Sequence, residues 1–181
     1  LICSENLLKK NMRKFNFKKK IKLLKSGQIK EFNLNNNSIN LIDIKLKKNA
    51  NINQYIEKSF FTAFKIIKDG TTDKFINGPI SKKKFLKKKF LGITEYICDY
   101  FSIKKNAMLI YNKDLSVCPI TTHVPIKQVT KKITKAIIKE KVNLVVKFYL
   151  KHFKYKPKIA ILGLNPHCET IEKFNEDQKI I

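Results

Sequence analysis

The sequence predicts an α/β fold, and three observations carry that reading. Stretches with apolar residues three and four positions apart alternate with short apolar runs of strand type. Glycine, proline and asparagine fall between these stretches, where turns are needed. Two histidines, His123 and His167, sit just beyond strand-like runs. In open α/β sheets, ligands collect at the carboxyl ends of strands.

Residues 1–30 are basic, with helical spacing around Leu7, Leu8, Met12, Phe15 and Phe17, and Gly27 ends a short element. Asn35-Asn36-Asn37 is a turn, and residues 38–46 alternate as a strand through Ile39, Leu41, Ile42, Ile44 and Leu46. From Asn53 to Lys68 the stripe Ile56, Phe60, Phe64 and Ile67 predicts a core-facing helix closed by Asp69-Gly70. A short strand is expected over 74–77, then a basic helix over 82–88 and a helix over 94–101 entered after Gly92. Two apolar runs, 107–111 and 115–120, flank Asn112-Lys113-Asp114 as in a hairpin. Thr134 is placed to cap a helix running to Phe153, with the stripe Ile138, Val142, Val145, Tyr149 and Phe153. Residues 158–164 read as a strand that ends in Gly163-Leu164-Asn165-Pro166-His167.

The chain has 181 residues, 43% of them apolar, which is ample for a core and argues against global disorder. No apolar run approaches the ~18 residues of a membrane span, and the opening residues are not read as a signal peptide. The net charge of +25 invites a nucleic-acid reading. Its make-up argues otherwise: Arg13 is the only arginine, whereas phosphate and groove readers lean on the arginine fork. The lysine excess accompanies much Ile, Asn and Phe, the residue usage of AT-rich coding. Runs such as Lys18-Lys19-Lys20, Lys82-Lys83-Lys84 and Lys87-Lys88-Lys89 are read as solvated faces. The cysteines, Cys3, Cys98, Cys118 and Cys168, form no C-x-x-C pair and are expected as reduced thiols in a cytoplasmic protein.

Of the three histidines, His152 lies within the long helix. His123 and His167 each sit in a loop with a neighbouring proline, in Thr121-Thr122-His123-Val124-Pro125 and Asn165-Pro166-His167-Cys168-Glu169. Imidazole is a common ligand of divalent metals. By spacing alone, two loop histidines are more often plain polar residues, and they fall short of a usual ligand set.

Taken together the motifs say more. Gly78-Pro79-Ile80-Ser81-Lys82, Gly92-Ile93-Thr94-Glu95, Thr121-Thr122-His123-Val124-Pro125 and Gly163-Leu164-Asn165-Pro166-His167 occur in this order and at fitting intervals. The chain thereby resembles the 4-hydroxythreonine-4-phosphate dehydrogenase family of vitamin B6 biosynthesis. That family carries T-G-P-x-x-K, G-H-T-E, T-T-H-x-P and G-L-N-P-H. The resemblance covers residues 53–181, with 1–50 as a variable early segment.

The resemblance implies a three-layer αβα fold of the two-domain isocitrate/isopropylmalate dehydrogenase type, only partly covered by this chain. It implies that His123 and His167 are two of three ligands to a divalent cation (Zn, Mg or Co). The third would lie further along the chain and come from the partner of a homodimer with a shared active site. Thr94 matches a substrate-binding threonine. Ile93 stands at a substrate-contacting position that is usually His, and isoleucine cannot hydrogen-bond there. Asn77 replaces a Thr before Gly-Pro. Cys168 stands where a small residue is common, and is read as a tolerated small side chain or, alternatively, an extra ligand. The implied reaction is NAD- or NADP-dependent oxidation of 4-phosphohydroxy-L-threonine to a β-keto acid, which decarboxylates to 3-amino-2-oxopropyl phosphate. The lack of G-x-G-x-x-G does not count against a nicotinamide, because the resembled folds bind it without that loop.

The chain opens Leu1-Ile2-Cys3-Ser4 without Met and ends soon after His167. We therefore expect an internal portion of a longer dehydrogenase, inactive when isolated. Two other readings stand beside it. One is a relative acting on another phosphorylated hydroxy acid, such as a four-carbon sugar-acid phosphate, which Ile93 keeps open. The other is a non-enzymatic basic module that binds nucleic acid. Filter binding separates the last: the solvated-face reading predicts no sub-micromolar affinity for nucleic acid at physiological salt, and such affinity would overturn it.

Overall fold

A three-stranded parallel sheet organises the first half of the chain, with β1 (Ile2–Cys3) and β2 (Lys20–Leu23) on either side of β3 (Ser38–Asp43). The computed structural model describes residues 1–25, 34, 36–46, 49–86, 89–164 and 175–181. The chain divides into two units, Leu1–Lys87 and Lys88–Ile181. β3 is central because it alone is apolar enough to be covered: Leu41 is fully buried and Ile42 nearly so. The register pairs Ile2 with Ile42 and Ile21 with Ile39.

α1 (Glu5–Lys14) lies in the chain between β1 and β2, the two parallel strands that flank β3, and is the crossover such a connection needs. The Ser4 hydroxyl caps it by accepting from the Leu7 N–H. Glu5 in its first turn and Arg13 and Lys14 in its last complement the helix dipole. Ser4 is buried, and its N–H donates to the Tyr55 hydroxyl at 2.8 Å. The Glu5 N–H donates to Asp43 Oδ1 at 2.8 Å, which ties the start of α1 to the end of β3. The helical spacing predicted near the N-terminus stops at Lys14, because Asn16 turns left-handed (φ 49) and leaves Phe15 and Phe17 exposed. The sequence does not announce β1 or β2: one is two residues long, and the other is an alternation hidden in a lysine run.

α2 (Ile52–Lys68) starts at Asn51, whose side chain accepts from the Asn53 N–H at 2.9 Å, and ends before Gly70 at φ 75. It buries Phe60, Ala63, Phe64 and Ile66. Ile66 takes the buried place expected for Ile67, which is half-buried. Residues 74–77 form no strand. Phe75 instead packs on α2, its ring 5.5 Å from Phe60 and 5.9 Å from Phe64. Phe85 of α3 (Lys82–Leu86) stacks on Phe60 at 5.5 Å. Aromatic packing on a ready-made helix face replaces the ladder a lone four-residue strand would lack.

The second unit is mainly helical: α4 (Ile93–Tyr100), α5 (Ile126–Lys132), α6 (Lys135–Phe153) and α7 (Glu176–Lys179). Thr134 caps α6, accepting from the Ile137 N–H at 3.2 Å, and Lys154 closes it in the left-handed region. Ile138 and Tyr149 of its predicted stripe are buried. The expected hairpin is one antiparallel bridge, Ile110 with Val117. It is held to α6 by the Tyr149 hydroxyl, 2.9 Å from Ser116 Oγ, and by the Lys141 ammonium donating to the Asn106 carbonyl. α5 is not legible in the sequence, because its Lys-rich segment shows no stripe. Residues 158–164 form no strand: no partner edge exists for them among the described residues, and Ile159, Ile161 and Leu162 are exposed. No described helix is long and apolar enough to cross a membrane.

Phe64 is fully buried and packed between Phe60 and Phe75. Phe64→Ala is expected to cost about 3–5 kcal/mol in urea unfolding, and a loss below about 1 kcal/mol would show that this cluster is not core.

Candidate functional site

The second unit brings two of the sequence motifs together at the start of α4. Gly92 is the N-cap of that helix, extended at φ −153, and offers no side chain to cap it. The helix then places successive residues in different surroundings. Ile93 turns inward and is 8% exposed, as part of the hydrophobic core. Thr94 is exposed, and Glu95 is half-buried in the first turn.

His123 approaches from the loop before α5. Its backbone is left-handed at φ 53, an uncommon conformation for a residue with a Cβ. Pro125 at the N-cap of α5 restrains the loop on its far side. The imidazole is exposed to solvent. A Cβ placed on Gly92 would meet Glu95 Oε2 at 2.7 Å and His123 Cδ2 and Nε2 at 3.5 Å each. The bare glycine is thus the place where carboxylate and imidazole share one space. Glu95 Oε2 is buried there with no hydrogen-bond partner among the described residues. A buried carboxylate oxygen without a donor is costly in a finished site, so the pair fits a place where a further group binds.

Of the residues singled out from sequence, Thr94 and His123 are solvent-accessible in this unit, and Ile93 is directed into its core. His167 and Cys168 lie outside the described residues. Among the described residues, no group of three His, Cys, Asp or Glu is arranged to hold a metal ion. His152 packs its ring 4.7 Å from Phe148 on α6. Asn77 turns its side-chain amide to the Gly78 carbonyl at 3.1 Å. Sequence reasoning did not single out Glu95 or Gly92. The signal was there: a carboxylate at the third position after a glycine N-cap, inside a recognised motif.

Two of this unit's thiols, Cys98 and Cys118, lie among the described residues. Burial pushes the Cys98 thiol up, with Glu95 adding to the rise and Lys141 opposing it. Burial also pushes Cys118 up, again opposed by Lys141. Neither has the depressed pKa of a nucleophile.

The fold and site define an α/β protein whose helix-initiating G-x-T-E turn abuts a T-T-H-x-P loop. The model of the family described as pyridoxal phosphate biosynthetic protein PdxA matches residues 1–181, and the chain belongs to that family. It is 41% identical over 123 residues to a 4-hydroxythreonine-4-phosphate dehydrogenase of Sulfurihydrogenibium sp. (strain YO3AOP1), covering 66% of this chain and 38% of the relative. It is 36% identical over 99 residues to one of Aquifex aeolicus (strain VF5), covering 52% of this chain and 31% of the relative. Among solved structures, a 4-hydroxythreonine-4-phosphate dehydrogenase from Klebsiella pneumoniae matches with a TM-score of 0.75 at 19% identity, covering 92% of this chain and 54% of that one. A putative enzyme of the same name from Salmonella typhimurium matches at 0.80 and 20%, covering 99% and 58%. These likenesses show the αβα fold expected from sequence. The chain spans well under two thirds of the length of these proteins.

Because both thiols are raised, iodoacetamide at about pH 8 is expected to alkylate Cys98 and Cys118 more slowly in the folded protein than in urea. Equal rates, read by mass spectrometry of the two peptides, would contradict the burial.

Proposed function

We propose that this chain belongs to an enzyme oxidising the secondary alcohol of 4-phosphohydroxy-L-threonine in pyridoxal phosphate synthesis. NAD or NADP would accept the hydride, and His123 and His167 would hold a divalent cation (Zn, Mg or Co). The observation that carries this reading is the convergence of Gly92, Glu95 and His123 at one point. It joins two motifs that the family resemblance assigns to substrate and metal. The names of the relatives support the activity, and the fold of the solved structures supports the scaffold. A cytoplasmic homodimer with a shared active site is part of the same proposal.

The residues fit a cation. His123 offers an accessible imidazole nitrogen, and Glu95 supplies negative charge beside it. When bound, a divalent cation acts as a Lewis acid and lowers the pKa of the alcohol to be oxidised. Neutral imidazole ligands leave that cation's charge uncancelled. The exposed Thr94 hydroxyl, in the first turn of α4, can accept and donate hydrogen bonds and so orient a substrate oxygen. Ile93, being buried, offers the substrate no polar contact from its side chain. The product of oxidation is a β-keto acid, whose loss of CO2 needs only that the ketone take up the released electron pair. No lysine is assigned to the substrate phosphate, and no residue of this chain to the nicotinamide.

The test is mutation in the full-length protein. His123→Ala and His167→Ala are each expected to abolish tight metal binding by calorimetry and to lower kcat/KM by about 100-fold or more. Retained metal affinity and turnover in His123→Ala would overturn the reading.

A further inference from the structure

We infer that Asn77 is a site of spontaneous deamidation, in which the Gly78 backbone nitrogen attacks the Asn77 side-chain amide and water completes the exchange to aspartate and isoaspartate. Three observations meet here. Asn77-Gly78 is the one Asn-Gly pair in the sequence, and a glycine leaves the attacking nitrogen free of side-chain hindrance. Residues 76–79 are exposed and lie between Phe75 and α3, outside any helix or strand. The Asn77 side chain folds back on the following residue, its Nδ2 donating to the Gly78 carbonyl at 3.1 Å, and no hydrogen bond holds the Gly78 N–H among the described residues.

The chemistry balances with water alone. Hydroxide takes the Gly78 amide proton, the nitrogen bonds to Asn77 Cγ, and the side-chain nitrogen leaves as ammonia with a proton from water. Water then opens the five-membered imide at either carbonyl: one opening gives aspartate, the other isoaspartate. Asp69-Gly70 is the other pair in the chain able to close the same ring, by loss of water, and there the structure opposes it. The Gly70 N–H donates to the Ile67 carbonyl at 3.1 Å, and Asp69 Oδ1 accepts from both the N–H and the hydroxyl of Thr71. Either product at Asn77 replaces a neutral amide with a carboxylate. Isoaspartate also routes the main chain through the former side chain and so adds one carbon to it. That carbon enters a segment anchored at both ends on one ring, because Phe75 and Phe85 each pack on Phe60 at 5.5 Å. Thr, which the resembled motif carries in place of Asn77, has no side-chain amide and cannot form the imide.

The test is ageing of the full-length protein, folded and in urea, in mildly alkaline buffer. Mass spectrometry of the tryptic peptide spanning residues 75–82 and enzymatic methylation of isoaspartate read the products. Asn77 is expected to convert to a mixture of aspartate and isoaspartate, at a rate that rises with pH. Each site is compared with itself in urea, because a hydrogen-bonded amide must open before it reacts: folding is expected to slow Asn77 by no more than about threefold and Asp69 by about tenfold or more. Asn77→Thr is expected to remove the product. Gly78→Ala is expected to slow it about tenfold or more by crowding the nitrogen. A Cβ at Gly78 meets nothing within 4 Å, so that variant keeps the fold. Asn77 that stays intact in the folded protein while it converts in urea would overturn the inference. Equal rates in Gly78→Ala and wild type, or folding that slows Asn77 as much as Asp69, would overturn it too.

Discussion

The absence of a side chain at Gly92 is the constraint on which the candidate site depends. A single methyl group there would lie 2.7 Å from the Glu95 carboxylate and against the edge of the His123 ring. The glycine begins a helix, so the space is set by regular backbone. Helical direction then divides the labour along α4: Ile93 points into the core, Thr94 into solvent, and the Glu95 carboxylate back toward Gly92. The burial of Ile93 anchors the turn that displays the other two. A left-handed His123 completes the arrangement, and a residue in that region costs about 1 kcal/mol or more. Such a cost is commonly met at sites where geometry matters more than local comfort.

Packing elsewhere in the second unit serves the same end. α6 holds the segment before the histidine loop at two points, Lys141 to Asn106 and Tyr149 to Ser116. The aromatic side chains Tyr111, Tyr149, Phe153 and Tyr155 lie with ring centroids 5.1–6.5 Å apart along that helix. In the first unit, the buried Ser4 and Tyr55 join β1, α1 and α2 through one hydrogen bond. Each device replaces regular sheet pairing with a few polar ties on a helical frame.

How much was legible beforehand depended on the length of the pattern. α2 and α6 were readable because long stripes and capping residues agree over four or more turns. Ser38–Asp43 was readable as the one apolar strand of the first unit. Strands of two and four residues carry too little pattern to read, and the expected strands at 74–77 and 158–164 find no partner among the described residues. For the candidate site, motif order pointed to His123 and Thr94, but only geometry could show that Gly92 lies beside both the Glu95 carboxylate and the histidine ring. Contact between residues distant in sequence leaves no periodic trace. The net charge of +25 was the loudest feature and the least informative, since the groups that border Gly92 are a carboxylate and an imidazole.

The central claim is that the G-x-T-E turn and the histidine loop form one metal-dependent site. Anomalous diffraction from crystals of the full-length protein grown with Co2+ tests it most directly. The account predicts a peak about 2.0–2.2 Å from a ring nitrogen of His123, beside the first turn of α4. A cation bound elsewhere, with His123 unengaged, would contradict it.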